Sequence, residues 1–381
     1  EIYTLSLHDA PSDLQQKGLL HKADDYLMAS GKLAAILYKE EIERAMKTPQ
    51  QSGFQLLDLH DFPGQGTALV GLLDAFWDSK GLVEPERFRE ACAPVVPLAQ
   101  FDKAVWKASE TFTARVDIAN YSLESMEGKT ICWKLSDEMG NIYAKGTGQD
   151  ISILLDKVYE AKRLELVVSI KDTPWRNRWN IWVYPDVVLP QDKQILVTAD
   201  TDEALKALKK GKKVLLSPNK EIVKGLEGKF LPVFWSPVHF PRQAGTMGLL
   251  CDPRHPALAR FPTDMHSDWQ WWNLVKRSRV MVLDSIAPVK PIVESVDNFV
   301  NNRRLAQIFE AKVGRGSLIF SSIDLLTDSH LPELRQMQYS LLKYMQSNDF
   351  APTVSITEQH LRGLLNDSAT EQRTSATSIY E

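Results

Sequence analysis

The sequence predicts a multi-domain chain of α/β plus β architecture: the end of an α/β barrel, then a β-sandwich, then an α/β layered domain. Three observations predict it. At 381 residues the chain is too long for one ordinary core. Near Phe101 the hydrophobic period changes from helical to two, and from Gln194 it changes again to alternating strand and helix patterns.

In chain order, apolar residues recur at helical spacing over 22–46 (Ala23, Tyr26, Leu27, Leu33, Ala34, Leu37), which predicts a long amphipathic helix stopped by Thr48-Pro49. The run "GFQLLDLHDFPGQG" then reads as a buried parallel strand over 54–60, followed by a Pro/Gly turn. A second helix is expected over 67–77, closed by Gly81, and Pro85 opens a third, short one. Helix, buried strand, loop and helix make one turn of an α/β barrel. The segments "TFTARVDIANYS", "TICWKLSDEMGNIYAKGTG" and "RLELVVSI…WNIWVYP" alternate with period two, and the turn signal Met139-Gly140-Asn141 is spaced as in a small sandwich, expected over 102–186. "QILVTAD", "TDEALKALKKG" and "KKVLLSP" read as a βαβ start. With "RVMVLDS", "GSLIFSSIDL" and a helix over 332–346, they predict an open α/β sheet within 187–350. Residues 351–381 read as a largely disordered tail, Ser/Thr-rich from Asp367. Residues 1–18 read as a non-native start, because "EIYTLSLHDAPS" looks like translated adapter DNA, so the true N-terminus is expected to be missing.

Composition narrows the function classes. Hydrophobic residues at 44% and charged residues at 25% are globular values. A net charge of −4 gives no electrostatic reason to expect nucleic acid or an anionic membrane. No apolar run approaches the ~18 residues of a membrane span. Cys92, Cys132 and Cys251 lie far apart without a C-x-x-C pair, so neither a zinc site nor a disulfide framework is expected. No cofactor or metal is read from the chain.

The richest segment is 56–81, "LLDLHDFPGQGTALVGLLDAFWDSKG". Asp58, His60 and Asp61 cluster where the expected strand runs out, and at the C-terminal end of a barrel strand such groups face the active site. There they could bind sugar hydroxyls, with Trp77 offering a flat apolar face. Alternatively, Asp58 and Asp61 cap backbone amides and His60 is a satisfied half-buried histidine. "PGQGTA" lacks the lysine and spacing of a phosphate loop. Glu40 and Glu41 sit mid-helix and read as a solvated face. In "HSDWQWW", Trp269 and Trp272 share a helical face, which describes core packing as well as carbohydrate stacking; Trp175, Trp179 and Trp182 read the same way. The α/β domain has no nucleophile elbow, and the sequence around Cys251, "LLCDPRHP", supplies none.

The segment from "DDYLMASGKLAAILYKEEIERAM" through "GFQLLDLHDFPGQGTALVGLLDAFWDSKGLVEPERF" resembles the end of the catalytic barrel of bacterial family 2 glycoside hydrolases, in particular large β-galactosidase-like proteins that degrade plant glycans. "FPTDMHSDWQWW" and "FEAKVGRGSLIFSSIDL" extend the resemblance over about 19–365. It implies an immunoglobulin-like sandwich and a flavodoxin- or amidotransferase-like α/β domain after the barrel. It also implies retaining, exo-acting cleavage of terminal β-glycosides by two glutamates about 5 Å apart. Both would lie upstream, so no residue of this chain is expected to be catalytic. Asp58, His60, Asp61, Gln65 and Trp77 would line the substrate cleft, with an oligosaccharide or polysaccharide as partner. The resemblance further implies a periplasmic or extracellular place and leaves a homo-oligomer open. The β-galactosidases of the family carry an aromatic residue on the last barrel strand where this chain reads "QLLDLHD", which leaves the sugar open. The other class of function is a non-catalytic carbohydrate-binding or structural module.

Overall fold

The computed structural model describes residues 13–57, 59–62, 70–231, 246–298 and 301–365. It is mixed α/β with several sheets, more strand than helix. Helix α1 (Ala23–Lys47) forms where its periodicity places it, with Arg44 and Lys47 in its last turn facing the negative end of the helix dipole. At 25 residues it is about 37 Å long, enough to touch two other units. Near its start, Tyr26 Oη donates to Glu294 at 2.5 Å and Lys22 pairs with the same carboxylate. Near its end the fully buried Glu43 accepts from Asn177 Nδ2 and Trp179 Nε1, each at 2.8 Å.

The short helix α2 (Pro85–Arg89) carries proline in its first turn, where the missing N–H costs nothing. Two sheets follow. Strands β1 (Val95–Gln100), β3 (Thr111–Asn120) and β6 (Asp150–Leu154) form one, in the order β1-β3-β6. The other runs β2-β8-β7-β4-β5 through Val105–Lys107, Arg176–Tyr184, Lys162–Ile170, Ile131–Asp137 and Ile142–Thr147. Alternate residues of β3 and β7 are buried, so Phe112, Val116, Leu164, Leu166 and Val168 meet across a shared core. The two-sheet unit begins at Val95, ahead of the expected 102, because β1 pairs with β3 along its length.

The second half is one mixed sheet flanked by helices. Strand β9 (Ile195–Thr198), helix α3 (Thr201–Lys209) and β10 (Lys213–Leu216) form the expected βαβ start. Asp200 caps α3 by accepting from Glu203 N at 2.7 Å, and Gly211 closes it at φ +82°. Next come β11 (Leu226–Glu227), β12 (Thr246–Leu250), helix α4 (Trp272–Lys276), β13 (Arg279–Val282), β14 (Pro291–Asp297), β15 (Leu305–Val313) and β16 (Gly316–Ser321). Helix α5 (Pro332–Gln346), β17 (Ser355–Ile356) and α6 (Glu358–Gly363) complete the unit. Leu334, Met337 and Leu341 of α5 pack with Trp271 and Leu274 in one core, while α3 and α6 bury Leu205, Leu208 and Leu361 in another.

Four expectations are corrected. Residues 51–57 lie in no strand, and Phe54 and Leu57 are exposed. A lone parallel strand needs neighbours for its N–H and C=O groups, and among the described residues the segment finds only a bridge between His60 and Leu73. No (β/α)8 barrel is therefore built by the described residues. Residues 70–77 are turns rather than helix; 63–69 lie outside the described residues. The flavodoxin-like expectation gives way to a mixed sheet: β9, β10 and β16 run parallel, but β15 pairs antiparallel with β13, β14 and β16. Residues 355–365, read with the tail, instead seat Ile356, Leu361, Leu364 and Leu365 in the core beside α3.

Candidate functional site

Residues 59–62 and 70–81 are pinned to each other at the base of a loop. Asp61 N donates to Leu73 O at 3.0 Å, and Leu72 N and Leu73 N donate to Leu59 O at 2.9 and 3.1 Å. Inside this collar Asp61 Oδ1 accepts from Gly71 N at 2.9 Å and from Lys80 Nζ at 2.6 Å. Lys80 also donates to Gly71 O at 3.0 Å, and Tyr38 of α1 donates to Val70 O at 3.1 Å. Burial pushes the Asp61 carboxyl up, against the opposing pull of Lys80 and the Gly71 amide. Gly71 is required here because a Cβ would come within 2.4 Å of the His60 carbonyl carbon.

The loop tip is organised by Asp74. Its Oδ1 accepts from Phe76 N at 2.8 Å and Asp78 N at 2.9 Å, while its backbone carbonyl accepts from Trp77 N at 3.1 Å. This turn holds Trp77 at φ +72°, a left-handed conformation rare for a bulky residue. It also leaves Phe76 86% and Trp77 61% exposed. Trp77 meets His60 edge-on, with ring centroids 4.3 Å apart, and His60 Nδ1 donates to Asp61 O at 2.7 Å.

Of the residues expected to face a sugar, His60 and Trp77 are thus brought together at the surface. Asp61 points inward and serves the loop's own amides and Lys80. Asp58 and Gln65 lie outside the described residues. Asp74 and Phe76 were missed from the sequence; the signal was there in "DAFWDSKG", where an aspartate able to bond amides two and four residues on favours a turn over a helix. Glu40 and Glu41 sit on α1 beside Arg44, at 3.5 and 3.6 Å, and line a cleft that α1 bounds. Cys251 is buried, its Sγ donating to Asp264 O at 3.2 Å, and burial pushes its thiol up to about 12.

A second arrangement lies elsewhere. Helix α1, the two-sheet unit and the mixed sheet enclose a cleft of about 1420 Å³. "HSDWQWW" divides along its wall: Trp271 is fully buried in the core, whereas Trp269 is half-buried and Trp272 is 38% exposed, both lining the cleft. Phe230 completes a ring triangle, 5.4 Å from each tryptophan, which are 5.9 Å apart. Beside them Asp268, only 5% exposed, accepts from Trp269 N at 2.7 Å and from Asn180 Nδ2 of β8 at 3.1 Å. Burial pushes this carboxyl up as well.

Residues 195–366 match the family described as "Domain of unknown function (DUF8487)", and residues 110–185 match "Domain of unknown function (DUF8488)". No curated protein matches the chain. Solved structures similar to it include a β-glucuronidase from Ruminococcus gnavus, at 9% identity and TM-score 0.16, covering 31% of this chain and 24% of that one. Another is an FMN-binding β-glucuronidase from Facaelibacterium prausnitzii L2-6, at 10% identity and TM-score 0.17, covering 33% and 24%. The chain therefore spans about a quarter of the length of either glycosidase. Among the described residues no helix is long and apolar enough to cross a membrane.

Proposed function

We propose that this chain is a carbohydrate-facing, non-catalytic part of a family 2-type glycoside hydrolase that cleaves terminal β-glycosides of plant polysaccharides. One observation carries the reading: an exposed tryptophan, Trp77, is held in a strained conformation against His60 by a loop whose base is locked by a buried ion pair. Strain of this kind persists where surrounding structure imposes it, and it clusters at ligand sites. An indole presented this way can stack on a pyranose ring, with the imidazole beside it as a hydrogen-bonding group. The resemblance of 56–81 to the last strand and loop of a family 2 barrel supplies the sugar class. Asp61 and Asp74 are committed to the loop's own amides, so these two acids shape the loop that presents Trp77 rather than cleave. In this reading upstream strands complete the barrel around the loop, the two-sheet unit is the immunoglobulin-like sandwich of such enzymes, and the protein works in the periplasm or outside the cell.

The test compares this chain with an upstream-extended protein on a panel of aryl β-glycosides. The extended protein should hydrolyse at least one, and this chain none. Trp77→Ala in the extended protein should lower kcat/KM about tenfold, ~1.4 kcal/mol, without moving the melting temperature. Unchanged kinetics would remove Trp77 from the substrate site, and an inert extended protein would overturn the reading.

A further inference from the structure

We infer that the cleft between α1, the two-sheet unit and the mixed sheet is a second carbohydrate site, separate from the Trp77 loop, and that it takes a short neutral oligosaccharide. The inference does not rest on the glycosidase reading.

The first argument is exposure. A tryptophan that served only packing would be covered as Trp271 is, yet Trp272 keeps 38% of its surface open, one residue further along the chain. With Trp269 and Phe230 it forms an apolar wall made of rings 5.4 to 5.9 Å apart. Carbohydrates combine apolar ring faces with a rim of hydroxyls, so their sites pair aromatic surface with fixed hydrogen-bonding groups.

The second argument is the polar pair beside that wall. Asp268 and Asn180 both line the cleft and hold each other at 3.1 Å. The carboxylate has roughly four acceptor positions, of which Trp269 N and Asn180 Nδ2 account for two. The amide oxygen and the second amide hydrogen of Asn180 add an acceptor and a donor. A buried carboxyl fixed by two bonds is pre-oriented, so a hydroxyl binding it meets little ordering cost.

Charge decides between neutral and acidic sugars. Lys39, 4.7 Å over the Trp179 ring, is paired with Glu43. Arg178, next in the chain to Trp179, is held by Glu90 at 2.5 Å and by Glu165 at 3.3 Å. These two cations are thus already paired, Lys276 lies 4.4 Å over the Trp272 ring on the wall itself, and Asp268 would repel a uronate placed against the polar pair. A volume of about 1420 Å³ exceeds the ~300–1,000 Å³ of small-ligand sites, which fits several linked sugars rather than one.

The experiment titrates the chain calorimetrically with cellotetraose, xylotetraose and β-1,4-galactotetraose, with a glucuronate-bearing oligosaccharide as the acidic arm. N-bromosuccinimide oxidation, mapped by peptide mass, then reports each tryptophan separately. At least one neutral tetrasaccharide should bind saturably and protect Trp272 from oxidation. Trp272→Ala, a change at an exposed position, and the near-isosteric Asp268→Asn should each weaken binding tenfold or more, with Trp77→Ala leaving Trp272 protection intact. The inference is overturned if no tetrasaccharide binds, if Trp77 alone is protected, or if Trp272→Ala binds normally. Tighter binding of the glucuronate-bearing arm overturns the neutral assignment. None of these outcomes depends on hydrolysis, so the two readings fail separately.

Discussion

Lys80 Nζ lies 2.6 Å from Asp61 Oδ1, both side chains less than a tenth exposed, and this pair closes the base of the loop that presents Trp77. Removing one partner leaves the other charge buried alone. Lys80→Met should cost about 3–5 kcal/mol in loop opening, read as faster amide exchange at Gly71. The Asp61 carboxyl is already raised by burial from its ordinary 3.8, and losing Lys80 raises it further. A carboxyl raised in the folded state destabilises above its folded pKa and is neutral in effect below its unfolded value. The penalty should therefore shrink as pH falls toward 4, and a penalty independent of pH would mean the amine acts only by filling space.

Gly71→Ala should destabilise the loop base although it adds only one methyl. The new Cβ would fall 2.4 Å from His60 C and 2.5 Å from Asp61 N, both backbone atoms that cannot swing aside. Overpacking of this kind costs about 1–3 kcal/mol. Denaturant titration of the variant checks it, and an unchanged midpoint would show that the loop base can move apart freely.

Glu43 predicts an acid-sensitive junction between α1 and the two-sheet unit. Burial opposes its charge, but Lys39 and Lys47 override that and hold the carboxyl below its ordinary 4.5. A carboxyl depressed in the folded state contributes stability above its unfolded value and loses it as pH falls through the folded one. Stability should thus decline as pH drops below 4.5, and Glu43→Gln should flatten that decline while lowering stability at pH 7. Equal acid slopes in the two proteins would place the sensitivity elsewhere.

Cys251 should resist alkylation in the folded protein. Its thiol is buried and pushed up to about 12, so almost no thiolate exists at pH 8. Iodoacetamide should label the half-buried Cys92 and Cys132 first, with Cys251 reacting only after denaturation. Early labelling of Cys251 would show that the core around Asp264 opens readily.

Much of the fold was legible because its signals are local. The spacing of Ala23, Tyr26, Leu33 and Leu37 marks α1, the alternation of Phe112, Ala114 and Val116 marks β3, and the helical pattern of "TDEALKALKKG" marks α3. Local signals failed at 54–60, where an apolar run reads as a strand whatever its surroundings, although a strand forms only if another backbone takes up its hydrogen bonds.

At the candidate sites, the sequence by itself determined which side chains were available: a cluster of acids with His60 and Trp77, and the tryptophans of "HSDWQWW". Only the tertiary structure decided what each one does. Asp61 turned inward because Lys80, 19 residues on, reached it. Trp271 entered the core while Trp269 and Trp272 lined a cleft, and Asp268 found Asn180 at a separation of 88 residues. Periodicity assigns a residue to a face of its own helix or strand. What covers that face, and which charge meets which, depends on chain segments far away in sequence brought together by burial of the shared core.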